Sequence, residues 1–236
     1  MLEYLLADIL VLLFPFLFSF ERRVRFWKKW PYLLPGYLTV SSIFIIWDVI
    51  ATKRGDWSFN EDRTIGIELF GLPCEELLFF LVVPYSCMFT YEVLSYYIKD
   101  RKVPFRRWPY FAVGFLFLIA AIVFRDQDYT LMALGSCALA LFIAPVVAPS
   151  MFSSRVFWSF VVVTMGLFVM MNMVLTSLPI VEYDPDAIWG GDGPWNGRFF
   201  YIPLEDFFYN LSFLTSFLMV YILSKRYLIR THISAR

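Results

Sequence analysis

Seven stretches of this chain are apolar for long enough to cross a bilayer, and that leaves few folds open. A spanning helix needs about 20 predominantly apolar residues, and backbone polar groups in lipid must be paired within the segment. The runs cover roughly 3–20, 32–51, 72–98, 109–124, 128–148, 156–178 and 202–224, the fourth being the shortest. Composition agrees: 60% of the residues are hydrophobic and 17% are charged, against about 25% charged in soluble domains. The expected fold is all-α, a polytopic membrane protein of about seven transmembrane helices. Met1-Leu2-Glu3 places no basic leader before the first run, which reads as a spanning helix and not a cleaved signal.

Zero formal net charge hides a strong segregation. Arg22, Arg23, Arg25, Lys28, Lys29, Lys99, Arg101, Lys102, Arg106, Arg107, Arg155, Lys225, Arg226, Arg230 and Arg236 fall on one side of the expected topology, 15 in all. Lys53, Arg54, Arg63, Arg125 and Arg198 make 5 on the other. Cytoplasmic loops carry the excess of Lys and Arg, so the expectation is a cell-membrane protein with its N-terminus outside and its C-terminus cytoplasmic.

Two short stretches are near copies. Pro73-Cys74-Glu75-Glu76-Leu77-Leu78-Phe79-Phe80 and Pro203-Leu204-Glu205-Asp206-Phe207-Phe208-Tyr209-Asn210 both read Pro-x-acid-acid, and both open an apolar run. The similarity extends upstream. Asp48-x-x-x-Thr52 ends the second run and Asn172-x-x-x-Thr176 lies in the sixth. A loop with Trp57, or with Trp189 and Trp195, follows, and then Gly66 or Gly197. Runs two and three thus map onto six and seven. An offset of four helices makes the units parallel repeats, with both acid pairs emerging on the non-cytoplasmic side. Residues 1–105 form the first unit (spans 1–3); residues 106–236 hold a linking span four and the second unit (spans 5–7).

Proline near the first helical turn places Glu75 and Glu76 at about the third and fourth helical positions, where the helix dipole favours anions. Neighbours differ by roughly 100° of rotation, so one acid can face a cavity while the other is held elsewhere. Acids at a helix N-terminus are also ordinary caps. Against that stand the duplication and the rule that intramembrane carboxylates mark functional sites. Glu75, Glu76, Glu205 and Asp206 are therefore the candidate acids and bases, with Glu75 and Glu205 first because they are invariant between the copies. The adjoining aromatics Phe79, Phe80, Phe207, Phe208 and Tyr209 could stabilise a cation. An acid beside an aromatic-lined apolar pocket is the chemistry of protonating an alkene and steering a carbocation. Packing is the competing role for each ring, and capping the competing role for Asp48 and Asn172.

Other chemistries lose ground on residue supply. Cys74, Cys87 and Cys137 have no CxxC spacing, and His232 is the lone histidine, so no metal site is expected. Gly190-Gly191-Asp192-Gly193 follows no strand and is not a nucleotide fingerprint. A retinal Schiff base needs a lysine deep in a span, yet Lys28, Lys29, Lys53, Lys99, Lys102 and Lys225 lie in loops or at span ends. Asp184-Pro185-Asp186 is too little for a prenyl-diphosphate magnesium site. A transporter or ion carrier using intramembrane carboxylates stays open as the alternative.

The pair Pro73-x-Glu75-Glu76-x-x-Phe79-Phe80 and Pro203-x-Glu205-Asp206 resembles the integral-membrane lycopene cyclase family, found as two small subunits or one fused chain. The resemblance covers essentially the whole chain, and Trp47-Asp48 and Asn172 look like the family's positions in spans two and six. It implies redox-neutral cyclisation of linear lycopene to β-ring carotenoids without a cofactor. The substrate would be a lipid-soluble carotenoid met by Phe79, Phe80, Phe208, Tyr209, Trp47, Asp48 and Asn172. It further implies no nucleic acid partner and contact with other carotenoid-pathway enzymes. Asp206 stands where the first copy has Glu76, and Tyr209-Asn210 where it has Phe79-Phe80, so the halves need not do equivalent work.

Overall fold

The computed structural model describes residues 2–191 and 196–234. Asp192, Gly193, Trp195 and Arg236 lie outside the described residues, as do the side chains of Arg230 and His232.

Helices follow the apolar runs almost segment by segment. They are α1 (Glu3–Phe18), α2 (Leu34–Gly36) continuing through a π-turn (Tyr37–Ser41) into α3 (Ser42–Arg54), α4 (Cys74–Tyr97), α5 (Trp108–Val123), α6 (Asp128–Val147), the short α7 (Pro149–Phe152), α8 (Arg155–Ser177) and α9 (Leu204–Ser234). Among the described residues, five segments are long and apolar enough to cross a membrane: Leu34–Arg54, Cys74–Tyr97, Asp128–Val147, Arg155–Ser177 and Leu204–Leu228. Helices α1 and α5 have 16 residues each. At 1.5 Å per residue that is about 24 Å, short of a hydrocarbon core of about 30 Å. Pro15, Pro84 and Pro145 sit inside helices that continue past them.

The acid-bearing end holds short strands where only loops were expected. Strand β1 (Trp57–Phe59) pairs antiparallel with β4 (Val181–Tyr183), Trp57 opposite Tyr183. This joins the two loops that precede the acid motifs. Strand β2 (Glu68–Leu69) folds back on β3 (Leu72–Pro73), and β5 (Arg198–Phe199) on β6 (Ile202–Pro203), with matching registers Glu68↔Pro73 and Arg198↔Pro203. In the first hairpin Phe70 and Gly71 both take positive φ, 61° and 87°, as a two-residue turn matched to strand twist requires. Phe200 repeats this at 55°.

Aromatic packing carries the interior between α3 and α9. Phe44 lies 4.8 Å from Phe213 and 5.1 Å from Tyr209, ring centre to ring centre, and Trp47 lies 4.9 Å from Tyr209. Gly36 permits the close approach of α2 to α9, because a Cβ there would sit 2.7 Å from the Phe217 ring. Toward the opposite end Glu92 of α4 is buried and accepts from Lys29, from Lys225 at 2.6 Å and from Tyr221 at 2.7 Å. A buried charge is tolerable when paired and hydrogen-bonded in this way. The clasp ties α4, α9 and the Phe26–Tyr32 turn together.

Candidate active site

Pro73 is held in β3 with ψ 144° and acts as the N-cap, so α4 begins at Cys74. Glu75 and Glu76 are therefore the second and third helical residues, one place earlier than the spacing suggested. The hairpin keeps the proline extended and outside the helix. Helix α9 starts the same way at Leu204, behind Pro203. Both starts are anchored seven residues upstream, Cys74 N–H donating to Ile67 O (2.8 Å) and Leu204 N–H to Gly197 O (3.1 Å).

The first acid of each pair ties down its own loop. Glu75 Oε1 accepts Ile65 N–H at 2.6 Å. Glu205 Oε1 accepts Trp189 N–H at 2.8 Å and Thr130 Oγ1–H at 2.5 Å. Neither Glu75 nor Glu205 lines the large cavity described below.

The second acids, about 100° further round, turn inward. Glu76 accepts the Tyr4 hydroxyl from α1, and the buried Asp48 carboxyl of α3 stands beside it. Two adjacent buried carboxyls disfavour joint ionisation, which suits the pair to holding a proton. Asp48 Oδ1 also accepts Trp57 Nε1–H at 2.8 Å and Thr52 Oγ1–H at 3.5 Å. Asp206 has three donors: Tyr129 OH on Oδ1, with Asn172 Nδ2–H (2.6 Å) and Tyr183 OH (2.9 Å) on Oδ2. Burial first, and then the Asp206 carboxylate beside it, push the Tyr183 phenol well above the ordinary tyrosine range, so it stays a donor. With every donor spent on its two oxygens, Asp206 is arranged as an acceptor.

Glu76, Asp48 and Asp206 line one cavity of about 600 Å³, bounded chiefly by α1, α4 and α8 and by the β1–β4 pair. That is within the 300–1,000 Å³ typical of small-molecule sites. Of the expected substrate contacts, Phe79, Tyr209, Asp48 and Asn172 lie in its wall. Phe80, Phe208 and Trp47 do not. Phe80 is fully buried against Phe213, Phe208 packs on Phe117 of α5, and Trp47 lies between Phe44 and Tyr209. Phe207 packs against Phe168 and Phe199. Successive residues on a helix point different ways, so only some of an aromatic cluster can face one cavity.

Sequence reasoning passed over Tyr4, Tyr129, Tyr183 and Asp8, and took Trp57 only as a loop marker of the repeat. The tyrosines look in sequence like ordinary interfacial aromatics. Asp8 should have been found, because it is an acid inside an apolar run. It is fully buried beside Glu75, and neither of its oxygens has a hydrogen-bond partner among the described residues. The first half thus gathers four carboxyls, Asp8, Asp48, Glu75 and Glu76. No ion pair among the described residues involves any of them.

Comparison with known proteins points to one family. The sequence profile of a family described as lycopene cyclase matches residues 3–94 and 126–223, which takes in both acid motifs and their tyrosine partners. A curated relative, "Bifunctional lycopene cyclase/phytoene synthase" of Pyrenophora tritici-repentis (strain Pt-1C-BFP), is 31% identical over 97 residues. That alignment covers 37% of this chain, and the chain spans only 17% of the relative's length. No solved structure matches. On the strength of the profile match over most of its length, the chain belongs to the lycopene cyclase family.

Proposed function

We propose that this protein cyclises linear lycopene to β-ring carotenoids by acid-initiated carbocation chemistry, without net redox change, on substrate taken from the bilayer. The carrying observation is the convergence of Glu76, Asp48 and Asp206 on one aromatic-walled cavity. In this reading the chain crosses the membrane seven times as two parallel repeats, residues 1–105 and 106–236, with its N-terminus outside and its C-terminus cytoplasmic. The matching hairpins and the matching tyrosine–acid contacts support the repeat.

The proton shared by Glu76 and Asp48 goes to the terminal double bond, leaving a tertiary cation. A neighbouring alkene attacks that cation, forming the ring bond and moving the charge into the ring. The Asp206 carboxylate then removes a ring proton, and its C–H electron pair becomes the new double bond. One proton enters and one leaves, so the product is an isomer. Tyr209, Phe79 and the phenol-bearing wall offer ring faces to the cation, worth about 2 kcal/mol or more when desolvated. Holding the reacting alkenes together supplies the rest of the advantage. Glu75 and Glu205 position the loops in this scheme. This reverses the order of preference drawn from the repeat, because they face those loops.

The sequence holds no nucleotide-binding fingerprint, and no flavin or nicotinamide enters the scheme. Contact with other carotenoid-pathway enzymes belongs to the proposal, since the curated relative carries cyclase and phytoene synthase in one name. The test is expression in a lycopene-accumulating bacterium followed by pigment chromatography. Monocyclic or bicyclic products are expected. Unchanged lycopene after confirmed membrane expression would overturn the reading and return attention to a transporter.

A further inference from the structure

Beyond the acids, the cavity continues as a cleft. Its α4 wall runs from Glu76 to Thr90, fourteen residues and so roughly 21 Å along the helix. Helices α1 and α8 meet at the acid end, where Tyr4 packs with Leu175 and Ile180. Further along, cavity-lining residues of both helices are also exposed, with Phe14 of α1 at 67% and Met170 of α8 at 69%. The cleft therefore opens sideways, on the face that a membrane-spanning bundle turns to lipid. Its few hydroxyls are spent internally. Ser86 donates to Val11 O (3.0 Å), Thr90 to Ser86 O (2.9 Å) and Thr164 to Phe160 O (2.8 Å). Apart from Asn210, one turn below Asp206, a polar ligand would find little to bind there, and an apolar chain would displace few hydrogen bonds by entering.

We propose that the α1–α8 cleft is an open-sided slot that takes an extended polyene lengthwise from the bilayer, one end against Glu76 and Asp206 and the remainder along α4. The inference rests on the cyclase reading for the identity of the chain. A linear carotenoid is long enough to cross a hydrocarbon core of about 30 Å. A slot of roughly 21 Å therefore holds part of it, and the open side lets the other end stay in lipid.

The experiment uses the full-length protein in nanodiscs of saturated phosphatidylcholine, with bound lycopene read by induced circular dichroism and turnover by chromatography. Phe14→Trp and Met170→Trp obstruct the opening from exposed positions where folding is not at stake. Val162→Trp, on α8 and 72% exposed but outside the cleft, is the control. Binding and turnover should both fall about tenfold in the first two, a loss of roughly 1.4 kcal/mol, and stay unchanged in the control. Glu76→Gln should keep binding while losing turnover. Cleft variants that bind and turn over like the control, or a control that falls with them, would overturn the slot and leave the cyclase standing. Cleft-dependent binding with no product from the unsubstituted protein would overturn the cyclase and leave the slot.

Discussion

The two acid clusters are built from the same parts in corresponding places. Each acid at the third helical position, Glu76 on α4 and Asp206 on α9, takes a tyrosine hydroxyl from another helix, Tyr4 of α1 and Tyr129 of α6. Each also meets a polar residue on a second helix, Asp48 of α3 and Asn172 of α8. The difference is one functional group. A carboxyl beside Glu76 favours a proton held by the pair. An amide N–H beside Asp206, reinforced by Tyr183, supplies donors and leaves a carboxylate ready to accept. In the proposed scheme the two clusters take opposite proton roles, and a reaction that takes up a proton at one point and releases one at another needs both.

The strongest way to break this comparison is to neutralise each inward acid. Glu76→Gln and Asp206→Asn should each cost about a hundredfold or more in turnover, with membrane protein levels unchanged by immunoblot. Near-normal pigment from either variant would remove that residue from the chemistry. Changing the partners should sharpen the comparison with smaller effects. Asn172→Leu and Tyr183→Phe each remove one hydrogen bond to Asp206, worth about 1–3 kcal/mol at a charged or buried group. Roughly tenfold losses in kcat should follow, with lycopene binding preserved by circular dichroism. A loss confined to binding would make these residues pocket walls only.

The smallest effect is expected at the outward acids. Glu75→Gln and Glu205→Gln should stay within about threefold of normal turnover while lowering stability by roughly 1 kcal/mol, read as a lower melting temperature in detergent. A hundredfold loss of activity at unchanged melting temperature would restore them as the acid and base. Orientation has its own check, independent of the acids. A reporter after the last helix should be cytoplasmic, and one inserted within residues 52–70 should be external. Both on one side would dismantle the parallel arrangement on which the two-cluster comparison depends.

Hydrophobic patterning determined where the helices lie, because a run of apolar residues this long can satisfy its backbone in lipid only by coiling on itself. The duplicated Pro-x-acid-acid likewise singled out the acids on which the proposed site is built, since buried carboxylates without sequence-adjacent cations are costly. Which member of each pair faces the cavity was not legible. It depends on where the helix starts, and the β2–β3 and β5–β6 hairpins moved that start by one residue, which is about 100° of rotation. The partners were hidden for a related reason. Tyr4 lies 72 residues from Glu76, and Tyr129 lies 77 from Asp206; such contacts exist only once helices pack side by side. The open cleft between α1 and α8 is likewise a property of how two apolar helices diverge, and residues that line it look in sequence like any others turned to lipid.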